Sequence, residues 1–286
     1  KMGRTQLQDA VPMGLGQEFE AYAIMIGEDI QRLGEAQSLI REINMGATAI
    51  GTGLNAHPDY ARLVTEKLVQ LSGVPVVSAA HLVEATQDAG AYVQLSGVLK
   101  RVAVKLSKIC NDLRLLSSGP RAGFGEINLP PMAPGSSIMP GKVNPIIPEV
   151  VNQIAFEVIG NDITVTMAAE AGQLELNAFE PVIAYNLFNS MDILGRGCRT
   201  LAEKCINGIT ANADRTRQMV AHSIGLVTAL NPYLGYEKST EIASDALRTG
   251  RPVYDLVLEK GYMSREQLDD VLSPENMTHP RYIERR

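Results

Sequence analysis

The sequence predicts an all-α protein: a bundle of long helices followed by a small helical domain at the C-terminus. Three observations carry that reading. Apolar residues recur at alternating spacings of four and three along four long stretches, as they do when helices pack nearly parallel. Strand signals are scarce. With no tryptophan and 5% aromatic residues, the core must be built from Leu, Ile, Val, Ala and Met, which suits helix-on-helix packing.

From Leu15 the first series runs Phe19, Tyr22, Ile26, Ile30, Leu33 and Ile40. Residues 46–55 then read as a loop, because glycines and small residues cluster there before His57-Pro58. Val74-Pro75-Val76-Val77 is the best strand candidate, and its proline demotes it. The second series is Val98, Val102, Leu106, Ile109, Leu113 and Leu116, and Gly119-Pro120 ends its helix. Ile147, Val151, Ile154 and Val158 form a further stretch. The cleanest seam is Leu187, Met191, Leu194, Cys198, Leu201 and Cys205. After Asn231-Pro232 the helices shorten, with turns at Gly235, Gly250, Gly261 and Pro274. The domain boundary falls near Asp214. It gives a central bundle over 1–213, with a functional loop at 119–148, and a small helical domain over 214–286.

A net charge of −6 offers no basic excess for nucleic acid or an anionic membrane. No apolar run approaches the roughly 20 residues of a membrane span, and the first residues carry no signal-peptide pattern. Cys110, Cys198 and Cys205 lack any CxxC spacing; Cys198 and Cys205, seven residues apart in an apolar helical pattern, read as buried thiols, and the setting as reducing and cytoplasmic. No His, Cys or carboxylate cluster has metal-ligand spacing, so no metal site is expected. His57, His81, His222 and His279 read as structural. Gly51-Thr52-Gly53 has neither a preceding strand nor a following GK[ST], so it does not read as a phosphate loop.

The chemistry is expected in the loop. Residues 119–148 are irregular, with six prolines before Pro148, and a segment of that length is usually functional. Within it stands Gly135-Ser136-Ser137-Ile138-Met139-Pro140-Gly141-Lys142-Val143-Asn144-Pro145. Two hydroxyls, one cation and one carboxamide suit a small dicarboxylate. Lys142 can neutralise one carboxylate and Asn144 can orient it, while the serines donate to the other.

That string resembles the GSSxMPxKxN signature of the fumarase and aspartase superfamily at every defined position. The resemblance continues through Gly3-Arg4-Thr5-Gln6-Leu7-Gln8-Asp9-Ala10, Gly51-Thr52-Gly53-Leu54-Asn55, Ser118-Gly119-Pro120-Arg121-Ala122-Gly123 and Ala229-Leu230-Asn231-Pro232. It implies a lyase that releases fumarate by anti elimination through an aci-carboxylate, with no cofactor required. It further implies that Ser136 is the base, that Ser137 holds the acidified carboxylate, and that Lys142 and Asn144 hold the other. The family architecture implies a homotetramer whose active sites are shared between subunits. Divalent-cation activation, a property of some aspartases, leaves no mark that the sequence would show.

Fumarases carry histidine where this chain has Gln6, paired in the family with a glutamate that matches Glu149. A leaving hydroxyl needs an acid, whereas the ammonium of aspartate departs as ammonia without one. Gln6 in that catalytic position, with Thr5 beside it near the amino group, therefore favours L-aspartate as substrate. Glu149 reads equally well as a first-turn acid favoured by the helix dipole. The strings Thr5-Gln6-Leu7-Gln8-Asp9-Ala10-Val11-Pro12, Lys204-Cys205-Ile206-Asn207-Gly208-Ile209-Thr210-Ala211-Asn212 and Met277-Thr278-His279-Pro280 likewise resemble the bacterial aspartase branch. A fumarate/malate hydratase is the alternative within the family, and a noncatalytic helical oligomerisation module the alternative outside it. The family also draws active-site residues from a region with no counterpart in these 286 residues. The chain is thus expected to lack that N-terminal region and to have little or no lyase activity alone.

Overall fold

The computed structural model describes residues 1–133, 139 and 141–280. It opens on a hairpin, β1 (Met2–Thr5) and β2 (Gln8–Pro12), and passes into α1 (Leu15–Leu39). There follow β3 (Glu42–Ile43), α2 (Thr48–Gly51), α3 (Tyr60–Ser72), β4 (Val77–Ser78) and α4 (Leu82–Ala85). The long helices α5 (Gly90–Leu116), α6 (Ile146–Glu170) and α7 (Glu180–Lys204) come next, with β5 (Ile127–Asn128) between the first two. After β6 (Thr210–Ala211) come α8 (Ala213–His222), α9 (Val227–Leu234), α10 (Tyr236–Thr249), α11 (Val253–Glu259), α12 (Arg265–Val271) and α13 (Pro274–Thr278). The helical class read from the sequence is the observed one, and each predicted long helix is present.

Contacts divide the chain into two units. One holds Lys1–Tyr22, Leu116–Asn128 and the described residues from Thr210 onward; the other holds Ala23–Leu115 and the described residues of Leu129–Ile209.

In the bundle unit, the α5 seam is buried at Val102, Leu106, Ile109 and Leu113. On α6, Val151, Ala155, Val158 and Val165 point inward. Each buried Val, Leu or Ile among them contributes about 1.5–3 kcal/mol by leaving water. The α7 seam differs from the predicted one. Its inward line is Ile183, Leu187, Ser190, Leu194, Gly197 and Leu201, and Cys198 is exposed rather than buried. Gly197 takes the inward position beside it, where a Cβ would stand 3.0 Å from Ile154 Cδ1, so the small residue suits the close approach of α6 and α7. Ile30 of the α1 series is likewise exposed, and Asp29 takes the buried position, facing Arg101 Nε at 2.9 Å and Lys105 Nζ at 3.0 Å. Within the loop expected over 46–55 the chain forms the short helix α2.

In the other unit, Leu226, Leu230, Ile242, Ala246, Val253, Leu256, Val257, Leu268 and Val271 form a single apolar core for the short C-terminal helices. A complete capping box starts α12, with Ser264 and Gln267 exchanging side-chain-to-backbone hydrogen bonds. β5 and β6 pair antiparallel within this unit. Among the described residues no helix is long and apolar enough to cross a membrane.

Candidate active site

The first two candidate residues, Thr5 and Gln6, sit at the tip of the β1–β2 hairpin, a strand pair that the sequence pattern does not predict. Thr5 pairs with Gln8, leaving Gln6 and Leu7 as a two-residue turn. Both adopt left-handed backbone, at φ 54° and 61°. This is the turn that the strand twist favours, and it is normally built from Asn-Gly. Gln and Leu there cost roughly 1–2 kcal/mol each. They present Thr5 and Gln6 to solvent, side by side.

What holds so strained a turn is the base of the hairpin. Glu126 is fully buried, and its Oε1 accepts from Arg4 Nη2 at 2.6 Å. Its Oε2 lies 3.4 Å from Lys1 Nζ, which also meets Glu18 at 2.9 Å. The Arg4 guanidinium stacks over the Phe124 ring at 4.1 Å. On the other strand, Asp9 accepts from Ser223 Oγ at 2.8 Å.

The Ser118-to-Gly123 motif builds the seat for Glu126. Gly125 N–H donates to Ser118 O at 2.8 Å and Glu126 N–H to Leu116 O at 2.9 Å. A Cβ on Gly123 would lie 2.5 Å from the Ser118 carbonyl carbon, so only glycine permits the approach. Asn212 Nδ2 closes the arrangement by donating to Gly125 O at 2.9 Å.

In the bundle unit, Lys142 and Asn144 are exposed on the stretch leading into α6. Ile146 N–H donates to Asn144 O at 2.9 Å, and the Pro145 N-cap gives no side-chain cap. Two turns of α6 are fastened to α5 instead. Glu149 lies 3.9 Å from Arg114 Nη2, and Asn152 Oδ1 accepts from Arg114 Nη1 at 3.2 Å. Asn152 Nδ2 donates to Ser107 Oγ at 2.8 Å and Asn111 Oδ1 at 3.1 Å. Ser136 and Ser137 lie outside the described residues.

Thr5 and Gln6 are therefore neighbours on one unit, and Lys142 and Asn144 neighbours on the other. Arg4, Glu126, Arg114 and Asn152 were not singled out by sequence. The one available signal was adjacency: Arg4 precedes Thr5 inside a family motif, and Glu126 follows another by three residues. The histidines serve local backbone, as expected of structural residues: His81 Nδ1 accepts from Glu84 N–H as the cap of α4, and His57 Nδ1 accepts from Asp59 N–H. Among the described residues no group of three His, Cys, Asp or Glu side chains is arranged to hold a metal ion. A cavity of about 590 Å³ lined by Met13, Leu226, Tyr254, Leu272 and Met277 includes neither Thr5 nor Gln6.

Comparison with known proteins identifies the family. Residues 1–160 match the family model described as lyase, and residues 226–279 match that of the fumarase C C-terminus. The aspartate ammonia-lyase of Helicobacter pylori is 64% identical over 98% of this chain and 60% of its own length. A crystal structure described as fumarate lyase:delta crystallin from Brucella melitensis bound to cobalt superposes with a TM-score of 0.95 at 56% identity, over 98% of this chain and 61% of that one. The class II fumarase of Schistosoma mansoni superposes at 0.93 with 34% identity, over 99% and 62%. The chain thus spans about 60% of the length of the curated relatives it matches. It belongs to the fumarase/aspartase family of lyases, with aspartate ammonia-lyases among its relatives.

Proposed function

We propose that the protein containing this chain eliminates ammonia from L-aspartate, reversibly, to give fumarate. The observation that carries the reading is the signature at residues 135–145, complete at every defined position, in a chain 64% identical to an aspartate ammonia-lyase. Gln6 in place of histidine supports the same substrate, because ammonium leaves without an added acid.

The chemistry assigns one task to each group. An alkoxide at Ser136 takes the proton from the carbon beside one carboxylate, and the resulting electron pair spreads into that carboxylate as an aci-dianion. Ser137 donates to the developing charge, where a preorganised donor contributes most. Lys142 and Asn144 hold the second carboxylate. The dianion then collapses, the carbon–carbon double bond forms, and the C–N bond breaks with its electrons leaving on neutral ammonia. Thr5 and Gln6 hold the amino group in line for departure. No step calls on a cofactor.

Assembly is part of the proposal. Phe156, Ile163 and Met167 on α6 and Tyr185 and Phe188 on α7 are each 58–68% exposed. Apolar stripes of that size favour burial against other subunits, which supports a homotetramer with shared sites. Three free cysteines fit a cytoplasmic location.

The test is to supply aspartate to the intact protein and follow fumarate by ultraviolet absorbance, then repeat with Ser136→Ala. The proposal expects turnover in the parent, none in the variant, and an unchanged helical signal; activity in the variant would refute the assigned base. The match of residues 226–279 to the fumarase C C-terminus favours one second reading, hydration of fumarate to malate. Malate as substrate separates the two.

A further inference from the structure

We propose that Glu126 is a positioning residue that sets the amino-group end of the site, by fixing through Arg4 the hairpin tip that carries Thr5 and Gln6. The inference rests on the proposed role of those two residues.

Three observations point to it. First, Glu126 is fully buried and shared by two cations, Arg4 at 2.6 Å and Lys1 at 3.4 Å. A buried ion pair is a poor way to gain stability, because the desolvation of its charges offsets the attraction. Its retention is better explained by geometry: Arg4 precedes Thr5 directly, so the guanidinium's position dictates where β1 ends. Second, the turn it supports is one that Gln6 and Leu7 would not adopt unaided. A strained backbone persists only where its surroundings over-determine it. Third, the seat of Glu126 is itself rigid. Its carbonyl accepts from Asn212 N–H at 2.9 Å, its N–H donates to Leu116 O at 2.9 Å, and Gly123 packs against the Ser118 carbonyl with no room for a side chain. Arg4 is further restrained by Phe124 beneath it. A carboxylate with this little freedom transmits its position to the hairpin.

If Thr5 and Gln6 hold the amino group, a misplaced tip weakens ligands that carry an amine and spares those that do not. That asymmetry distinguishes positioning from general support of the fold. The measurement is calorimetric titration of the intact protein, in a Ser136→Ala background that stops turnover, with L-aspartate and with succinate, the diacid lacking the amine. The informative variant is the pair Arg4→Met with Glu126→Leu. It replaces the buried ions by apolar groups of similar size, an exchange that is often neutral for stability, while Lys1 keeps Glu18 at 2.9 Å. Aspartate affinity is expected to fall about tenfold, the equivalent of one lost hydrogen bond. Succinate affinity is expected to stay within roughly twofold, with the thermal transition preserved. Where the double variant fails to fold, Glu126→Asp decides: it keeps the charge, withdraws the carboxylate by one methylene, and should show the same asymmetry in smaller measure. Unchanged aspartate affinity, or equal loss for both diacids, overturns the proposal. A parent that binds neither diacid overturns the reading of the site itself and takes this inference with it.

Discussion

Arg114, in the last turn of α5, donates from Nη1 to Oδ1 of Asn152, on the second turn of α6, at 3.2 Å. Asn152 is 3% exposed, and its Nδ2 is engaged by Ser107 and Asn111. The start of α6 has no side-chain cap, and this carboxamide with the neighbouring Arg114–Glu149 pair fastens its first two turns to α5. Lys142 and Asn144 lie immediately before that start, which connects a packing detail to residues proposed to hold a substrate carboxylate.

Replacing Asn152→Leu removes the acceptor for Arg114 and leaves Ser107 and Asn111 without their partner. Unfolding free energy should fall by about 1 kcal/mol, the net worth of the hydrogen bonds lost, because Ser107, Asn111 and Arg114 remain open to water. Denaturant titration measures it, and an unchanged midpoint would show that the network contributes nothing.

Gly51 has φ +104°, and a Cβ placed on it would lie 2.3 Å from Val83 Cα. Backbone cannot yield as a flexible side chain can. Gly51→Ala should therefore cost about 2–4 kcal/mol, combining overpacking with an unfavourable backbone conformation. A thermal melt unchanged from the parent would contradict the close approach of α2 and α4.

Leu7 is 64% exposed at φ 61°. Asparagine tolerates that conformation better than leucine does. Leu7→Asn should raise the melting temperature, by an amount equivalent to about 1 kcal/mol or less. A lower melting temperature would mean that the exposed leucine contributes packing absent from this structure.

Burial pushes the Cys110 thiol up to about 12 and the Cys205 thiol up to about 11. An unfolded thiol ionises near 8.5. Above that pH the unfolded chain has lost these protons while the folded chain retains them, so stability declines as pH rises from about 8.5 toward 12. Below that window both states are protonated and the thiols contribute no slope. Cys110→Val should flatten the decline, as read from urea midpoints across that range. At neutral pH a thiol reagent should reach exposed Cys198 before the other two.

The long helices were legible because a four-three apolar rhythm has one physical meaning over seven turns. Val102, Leu106, Ile109 and Leu113 were placed correctly on that basis alone. The same rhythm misplaced Cys198, since it records which residues are apolar and not how closely two helices approach; Gly197 takes the inward position beside it. The C-terminal turns at Gly235, Gly250 and Gly261 were readable because glycine tolerates positive φ, here +77°, +69° and +65°; Gly250 takes the left-handed backbone that ends a helix. The hairpin was not readable. Its turn residues, Gln6 and Leu7, are ones that turn chemistry disfavours, and its support comes from Glu126, 122 residues from Arg4 in sequence. For the same reason sequence gave no sign that Lys1–Tyr22 and Leu116–Asn128 join the C-terminal helices in one unit. Thr5, Gln6, Lys142 and Asn144 are candidates through motif resemblance alone; Arg4 and Glu126 beneath the hairpin became visible only in three dimensions.

We propose that a protein of this family bearing Gln6 expels ammonia rather than water. The most direct measurement supplies L-aspartate and L-malate separately to the intact protein and follows the appearance of fumarate. Fumarate is expected from aspartate, and little or none from malate. Fumarate from malate, with aspartate left unchanged, would contradict the proposal.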